Sequence, residues 1–210
     1  MPAIAHDSDA DLGGVLAPQA RRFIHPGLPE APRILDVTAR GTREFRLTLA
    51  PGQCVGAVLR TWFDAQGVHA GCARIPGGNL RRLDYHVVVR AGAGERPYVY
   101  GPPIVRDTPL VLLGATLTLG RDAQGQALLH CHGGFVGANG LPEGGHLVLD
   151  SAIVGAGDLV VQASLFDGVT QQVQLDRETR YTLLTPAPAP LADAAAADPA
   201  GGAAWPTHMH

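Results

Sequence analysis

The stretch HCHGGFVGANGLPEGGHL, His130 to Leu147, packs three histidines and six glycines into eighteen residues. Its apolar and polar residues read as two strands joined by a turn, and the register of that hairpin decides how a sheet is built around it. Side chains alternate across a strand, so His130 and His132 share one face while Cys131 points to the other. Two residues at that spacing lie about 7 Å apart at Cα, close enough for both rings to converge on an ion about 2.0 to 2.1 Å from each nitrogen. A three-residue loop, Ala138-Asn139-Gly140, with Gly140 left-handed, pairs His132 with His146 and brings all three imidazoles to one face. A two-residue Asn139-Gly140 loop instead pairs His146 with Gly133 and turns it away. Both registers are open on sequence grounds, and Pro142 adds the expectation of an edge position or a bulge.

Working outward, REFRLTL (43–49) alternates as a half-buried strand requires, and Pro51-Gly52-Gln53 turns the chain. From Gln53 to Gln66, Val55, Val58, Leu59, Trp62 and Phe63 recur at helical spacing, with Gly67 as a stop. Short apolar or alternating runs follow at 68–75, 85–91, 109–119, 127–135, 145–150, 158–166 and 170–184. One helix among many strands predicts an α+β fold, a mainly antiparallel sheet with the helix packed on it.

The ends read differently. Residues 1–40 combine Asp7, Asp9 and Asp11 with a proline-rich RRFIHPGLPEAPR and are expected to form an arm. Residues 186–210 are Ala/Pro low complexity with nothing periodic to bury, and are expected to be disordered. The folded domain is therefore expected at 41–185. No run of about 18 apolar residues and no basic-then-apolar leader occurs, so a cytoplasmic protein with no membrane partner is expected.

Composition excludes more than it assigns. The net charge of -3 and a pI near 6.3 supply no basic field for nonspecific nucleic-acid binding. Cys54, Cys72 and Cys131 form no CxxC pair, so neither a disulfide framework nor a cysteine zinc knuckle is readable. Three neutral imidazoles with an open position favour zinc or a similar divalent ion.

At this point the chain resembles a known family, the PPC (plants and prokaryotes conserved) domain, whose relatives include the plant AT-hook DNA-binding proteins. The resemblance spans roughly residues 42–170. It rests on the opening strand, Pro-Gly-Gln and helix, on LVLLGATLTLGRDAQGQALLHCH, and on NGLPEGGHLVL. It implies a five-stranded antiparallel sheet with helices, a homotrimer, and a metal on His130, His132 and His146. Leu110 and Asp158 stand where many members have glutamate, and ARGTR (39–43) lacks the AT-hook core.

Three further groups merit weight. The segment from Arg74 to Arg106 holds six arginines against Asp84 and Glu95. Guanidinium forks match carboxylate and phosphate geometry, so Arg81 and Arg82 are the candidate clamp for a small anionic ligand. Glu143 is the carboxylate nearest in sequence to His146 and the candidate acid/base residue; Asp150 lies about 13 Å along the strand, too far to orient that ring. His69 and His86 are read as core or rim residues and His208 and His210 as incidental. The functional expectation is a PPC-type protein binding or transforming a small anionic metabolite at a divalent metal, whether or not it is an enzyme. The alternatives are a DNA-binding regulatory protein and a trimer whose metal is structural.

Overall fold

A computed structural model describes residues 25–32, 34–91 and 96–189. The elements run β1 (Gly41–Leu49), α1 (Val55–Ala65), β2 (Gly71–Ile75), β3 (Gly78–His86), β4 (Val88–Arg90), β5 (Tyr98–Tyr100), β6 (Ile104–Arg106), β7 (Leu110–Arg121), β8 (Ala127–Val136), β9 (Pro142–Val154), β10 (Leu159–Asp167), β11 (Val169–Leu175) and β12 (Thr182–Pro188). The main sheet has the order β1-β10-β2-β7-β8-β9-β3-β6, antiparallel throughout this path. β3 also pairs with β7, so β7, β8, β9 and β3 close on themselves. β11 and β12 form a hairpin beside β7, and β4 and β5 pair with each other in a separate two-stranded sheet. The expected antiparallel sheet with one helix is what the described residues form.

The sheet has one wet and one dry face. In β8 the buried residues are Ala127, Leu129, Cys131 and Phe135, with His130 and His132 between them on the other side. In β7, Leu117 and Leu119 face inward while Thr116 and Thr118 do not. The helix lies on the dry face through Val55, Leu59 and Phe63, all 1% exposed or less. Gly56 sets how closely it lies: a Cβ there would stand 2.8 Å from the Asp150 backbone nitrogen. Arg60 pins the contact, donating to the Ala127 carbonyl at 2.7 Å and pairing with Asp150 at 2.5 Å. Gly67, at φ 66°, ends the helix as its position suggested.

The strand boundaries differ from the sequence expectation in four places. The run expected at 85–91 is the end of one strand and the start of another. β3 begins at Gly78, and its register on β9 shifts twice between Leu80 and Asp84. Those shifts put buried residues at 80, 83 and 85, a spacing that breaks simple alternation. β5 and β6 are three residues each, too short to give a periodic signal. The run expected at 170–184 is a hairpin, turned by Asp176, whose carboxylate accepts from the Thr179 N–H at 2.7 Å. Finally, β12 carries ordered pairing to Pro188, three residues past the boundary placed at 185, because an edge strand tolerates Pro186 and Pro188 on its unpaired side. Residues 190–210 and most of the expected arm lie outside the described residues.

Candidate metal centre

The hairpin takes the three-residue register. His132 stands opposite His146, Gly133 opposite Gly145 and Phe135 opposite Glu143, with Gly140 left-handed at φ 72°. His130, His132 and His146 therefore converge on the wet face, their candidate ligand nitrogens all within 4.8 Å of one another. The Nε2 atoms of His130 and His132 are 3.1 Å apart. Tetrahedral coordination with bonds of about 2.0 to 2.1 Å spaces nitrogens by roughly 3.3 Å, so the pair already has the span of one edge. Ring centroids stand 4.8 Å (130–132), 4.9 Å (130–146) and 5.3 Å (132–146) apart.

The glycines make this approach possible. A Cβ on Gly145 would collide with the His86 carbonyl oxygen, and its φ of 157° disfavours any side chain. A Cβ on Gly133 would stand 2.7 Å from the Gly114 carbonyl oxygen and 2.8 Å from the Leu147 side chain. Four strands are drawn together behind the imidazoles at a distance only bare backbone permits.

Electrostatically the site favours the neutral form of two of the rings. Burial, then the neighbouring His130, His132 and His86, push His146 down to about 4. His130 is lowered by burial and then by His132. Neutral imidazoles are the form that ligates a metal, and the buried Nδ1 of His146 has no hydrogen-bond partner. Three ring nitrogens within 4.8 Å of one another, on histidines of which the third keeps an unpartnered buried Nδ1, fit a divalent cation.

Not every residue anticipated from sequence joins them. Glu143 is three residues from His146, an odd number, so it lies on the opposite face with Phe135 and Tyr85. There it accepts the Tyr85 hydroxyl at 2.5 Å and the Arg106 guanidinium at 2.6 Å, and Arg106 first, then Tyr85, hold its carboxyl below the usual range. Its role is to fasten β9 to β3 and β6, and the acid/base assignment is withdrawn. Arg82 lies four residues, about 13 Å, along β3 from the residue facing His146. It is engaged by Asp84 at 3.7 Å and Asp107 at 3.8 Å, and its neighbour Arg81 is exposed one residue further away. The two do not rim the histidines.

Two further residues stand beside the site: His86, read from sequence as a core or rim residue outside the metal set, and Tyr100, which the sequence did not single out. His86 stands directly opposite His146, and its Nδ1 donates to the Gly101 carbonyl at 2.8 Å, which leaves Nε2 as an acceptor. Tyr100, in the three-residue β5, lays its ring 4.8 Å from that of His146. Neither could be placed before the shifted register of β3 was known.

This architecture defines the class: the chain has a PPC-like fold. Its structural relatives include a metal-containing protein from Archaeoglobus fulgidus, 20% identical, with a TM-score of 0.57 over 73% of this chain and 99% of that one. A plant- and prokaryote-conserved protein from Pyrococcus horikoshii superposes with a TM-score of 0.55 at 14% identity, over 71% of this chain and 97% of its own. A provisionally named DNA-binding protein from Ralstonia eutropha JMP134 gives 0.54 at 15% identity, over 67% and 89%. No family profile and no curated protein matches the sequence. No helix among the described residues is long and apolar enough to cross a membrane.

Proposed function

We propose that His130, His132 and His146 bind one divalent metal ion, zinc foremost, and that the protein is a homotrimer that binds or transforms a small anionic metabolite there. The observation that carries this reading is the convergence of one ring nitrogen from each of His130, His132 and His146 to within 4.8 Å, together with a buried His146 Nδ1 that has no hydrogen-bond partner. When bound, the ion supplies Lewis acidity that polarises a carbonyl or carboxylate oxygen of a ligand. The chain's own part is to favour the neutral form of His130 and His146. Tyr100 backs the His146 ring, and His86 offers its Nε2 lone pair on the same face.

Metal per chain, measured by mass spectrometry after zinc exposure and desalting, tests the site. About one zinc per chain is expected in wild type, most of it lost in each of His130→Ala, His132→Ala and His146→Ala. A zinc-free wild type, or a silent His146→Ala, overturns the three-ligand site. Light scattering tests the trimer; a monomer mass at micromolar concentration overturns it. Exposed Val111 and Leu113 on the histidine-bearing face of the sheet offer apolar surface of the kind that association buries.

A DNA-associated role is the second reading, favoured by the name of the Ralstonia relative. The charge of -3 argues against it. A gel shift that persists at moderate salt would favour it.

A further inference from the structure

The wet face carries more than the histidines. Successive registers align Arg46 with Gln162, Gln162 with Arg74, Arg74 with Thr116, Thr116 with His132, and His132 with His146. Six strands thus place one polar row directly across the sheet, with the candidate metal ligands at one end and two arginines at the other. In the adjacent row Thr118 stands opposite His130. Arg46, Arg74, Thr116, Thr118 and Gln162 line an open groove of about 860 Å³ on this face. The threonines are shared: they wall the groove and flank the histidines.

Arg74 is built for a ligand in a way Arg82 is not. Its Nε donates to the Gln162 Oε1 at 2.5 Å, which orients the guanidinium and leaves both terminal nitrogens available. Arg43, Arg60, Arg82, Arg106 and Arg121 each pair with a carboxylate. Among the described residues Arg46 and Arg74 do not. Glu44 also lines the groove, but it is bound to the Ser164 hydroxyl at 2.8 Å in the neighbouring row, and the two arginines leave the groove net positive. Arg74 and His132 are two strands apart, about 9.6 Å between backbones. Thr116 lies between them on β7, and the Gln162 contact holds the Arg74 guanidinium on the β10 side, so a ligand joining it to the imidazoles lies over the Thr116–Thr118 floor.

We propose that the groove is the anion-binding half of a two-part site, and that its ligand is a short organic dianion with an oxyanion at each end. One end lies on the ion at the histidines and the other on the guanidinium of Arg74, with Arg46 adding charge from the groove's far edge. The proposal rests on the metal reading above and names the ligand class and the residue that selects it. A planar fork bound through its terminal nitrogens selects a carboxylate geometrically, which an ammonium cannot do.

The test is calorimetric titration of the zinc-loaded full-length protein with succinate, glutarate, acetate and inorganic phosphate, in wild type, Arg74→Gln, Arg74→Lys and Arg82→Gln. Succinate or glutarate should bind more tightly than acetate. Arg74→Gln should weaken the better dicarboxylate by about tenfold or more while leaving acetate, zinc content and melting temperature unchanged. Arg74→Lys should recover only part of the loss, and Arg82→Gln should change nothing. Phosphate bound better than either dicarboxylate would overturn the two-ended ligand. Dicarboxylate affinity equal in wild type and Arg74→Gln, or no dicarboxylate binding by zinc-loaded protein, would overturn the role of Arg74. Zinc content, measured first, keeps the two readings apart: absence of zinc sinks the metal site, whereas the outcomes above concern protein that holds it.

Discussion

His132 and His146 stand directly opposite one another across β8 and β9, at the point where β9 also meets β3. That three-strand crossing depends on Gly145, whose missing Cβ makes room for the His86 carbonyl. Gly145→Ala should therefore lower both metal content and melting temperature, since the two strands must part for the methyl group. Gly134→Ala is the control, because a Cβ there would meet only the Glu143 carbonyl oxygen, at 3.6 Å. Equal metal content in the two variants would show that the crossing does not position His146.

Glu143 lies on the other face, held by Tyr85 and Arg106. Glu143→Gln should keep its zinc and lose roughly 2–4 °C of melting temperature, the loss of a charge-assisted contact in a domain of this size. Its folded carboxyl is depressed, so the stabilisation is present above the ordinary carboxylate range near about 4.3 and is lost as pH falls through the lower folded value. Zinc loss in Glu143→Gln at neutral pH would restore this residue to the site.

Parity explains what the sequence could and could not reveal. His130 and His132 were legible because two residues separate same-face positions on any strand, and the helix because Val55, Leu59 and Phe63 keep its period. The third histidine hung on the length of one loop, which Gly140 resolved by adopting a left-handed conformation. Parity also separates Glu143 from His146, so nearness in sequence was the misleading cue there. Arg81 and Arg82 could not be placed because the shifts in β3 hide which residues face which. The row from Arg46 to His146 belongs to registers between strands up to 116 residues apart in sequence, and no local pattern encodes them.

The domain boundary gives a sharper measurement. Residues 186–188 pair with β11, and the Ala189 N–H donates to the Gly168 carbonyl at 2.9 Å. A chain ending at 185 should melt several degrees below one ending at 189, because it leaves the last pairs of β11 unpaired. Indistinguishable melting temperatures would place the end of the cooperative unit at 185 after all.

Acid should uncouple the histidines from the fold. In the metal-free protein His146 is lowered to about 4 by burial and by its three histidine neighbours, and His130 is lowered as well. An unfolded histidine titrates near about 6.5, so between these values the unfolded chain binds more protons than the native one. Stability should then rise with pH across that window: flat above about 6.5, falling as pH drops toward 4, with no further contribution from His146 below it. Zinc, which needs the same rings neutral, should add stability at neutral pH and lose it in the same window as protons displace it. Denaturant midpoints at half-unit pH steps, with and without zinc, check this. His146→Gln should flatten the metal-free profile, leaving the smaller slope due to His130, and abolish the zinc increment. A profile that superimposes on wild type would mean that His146 is not held neutral by the cluster.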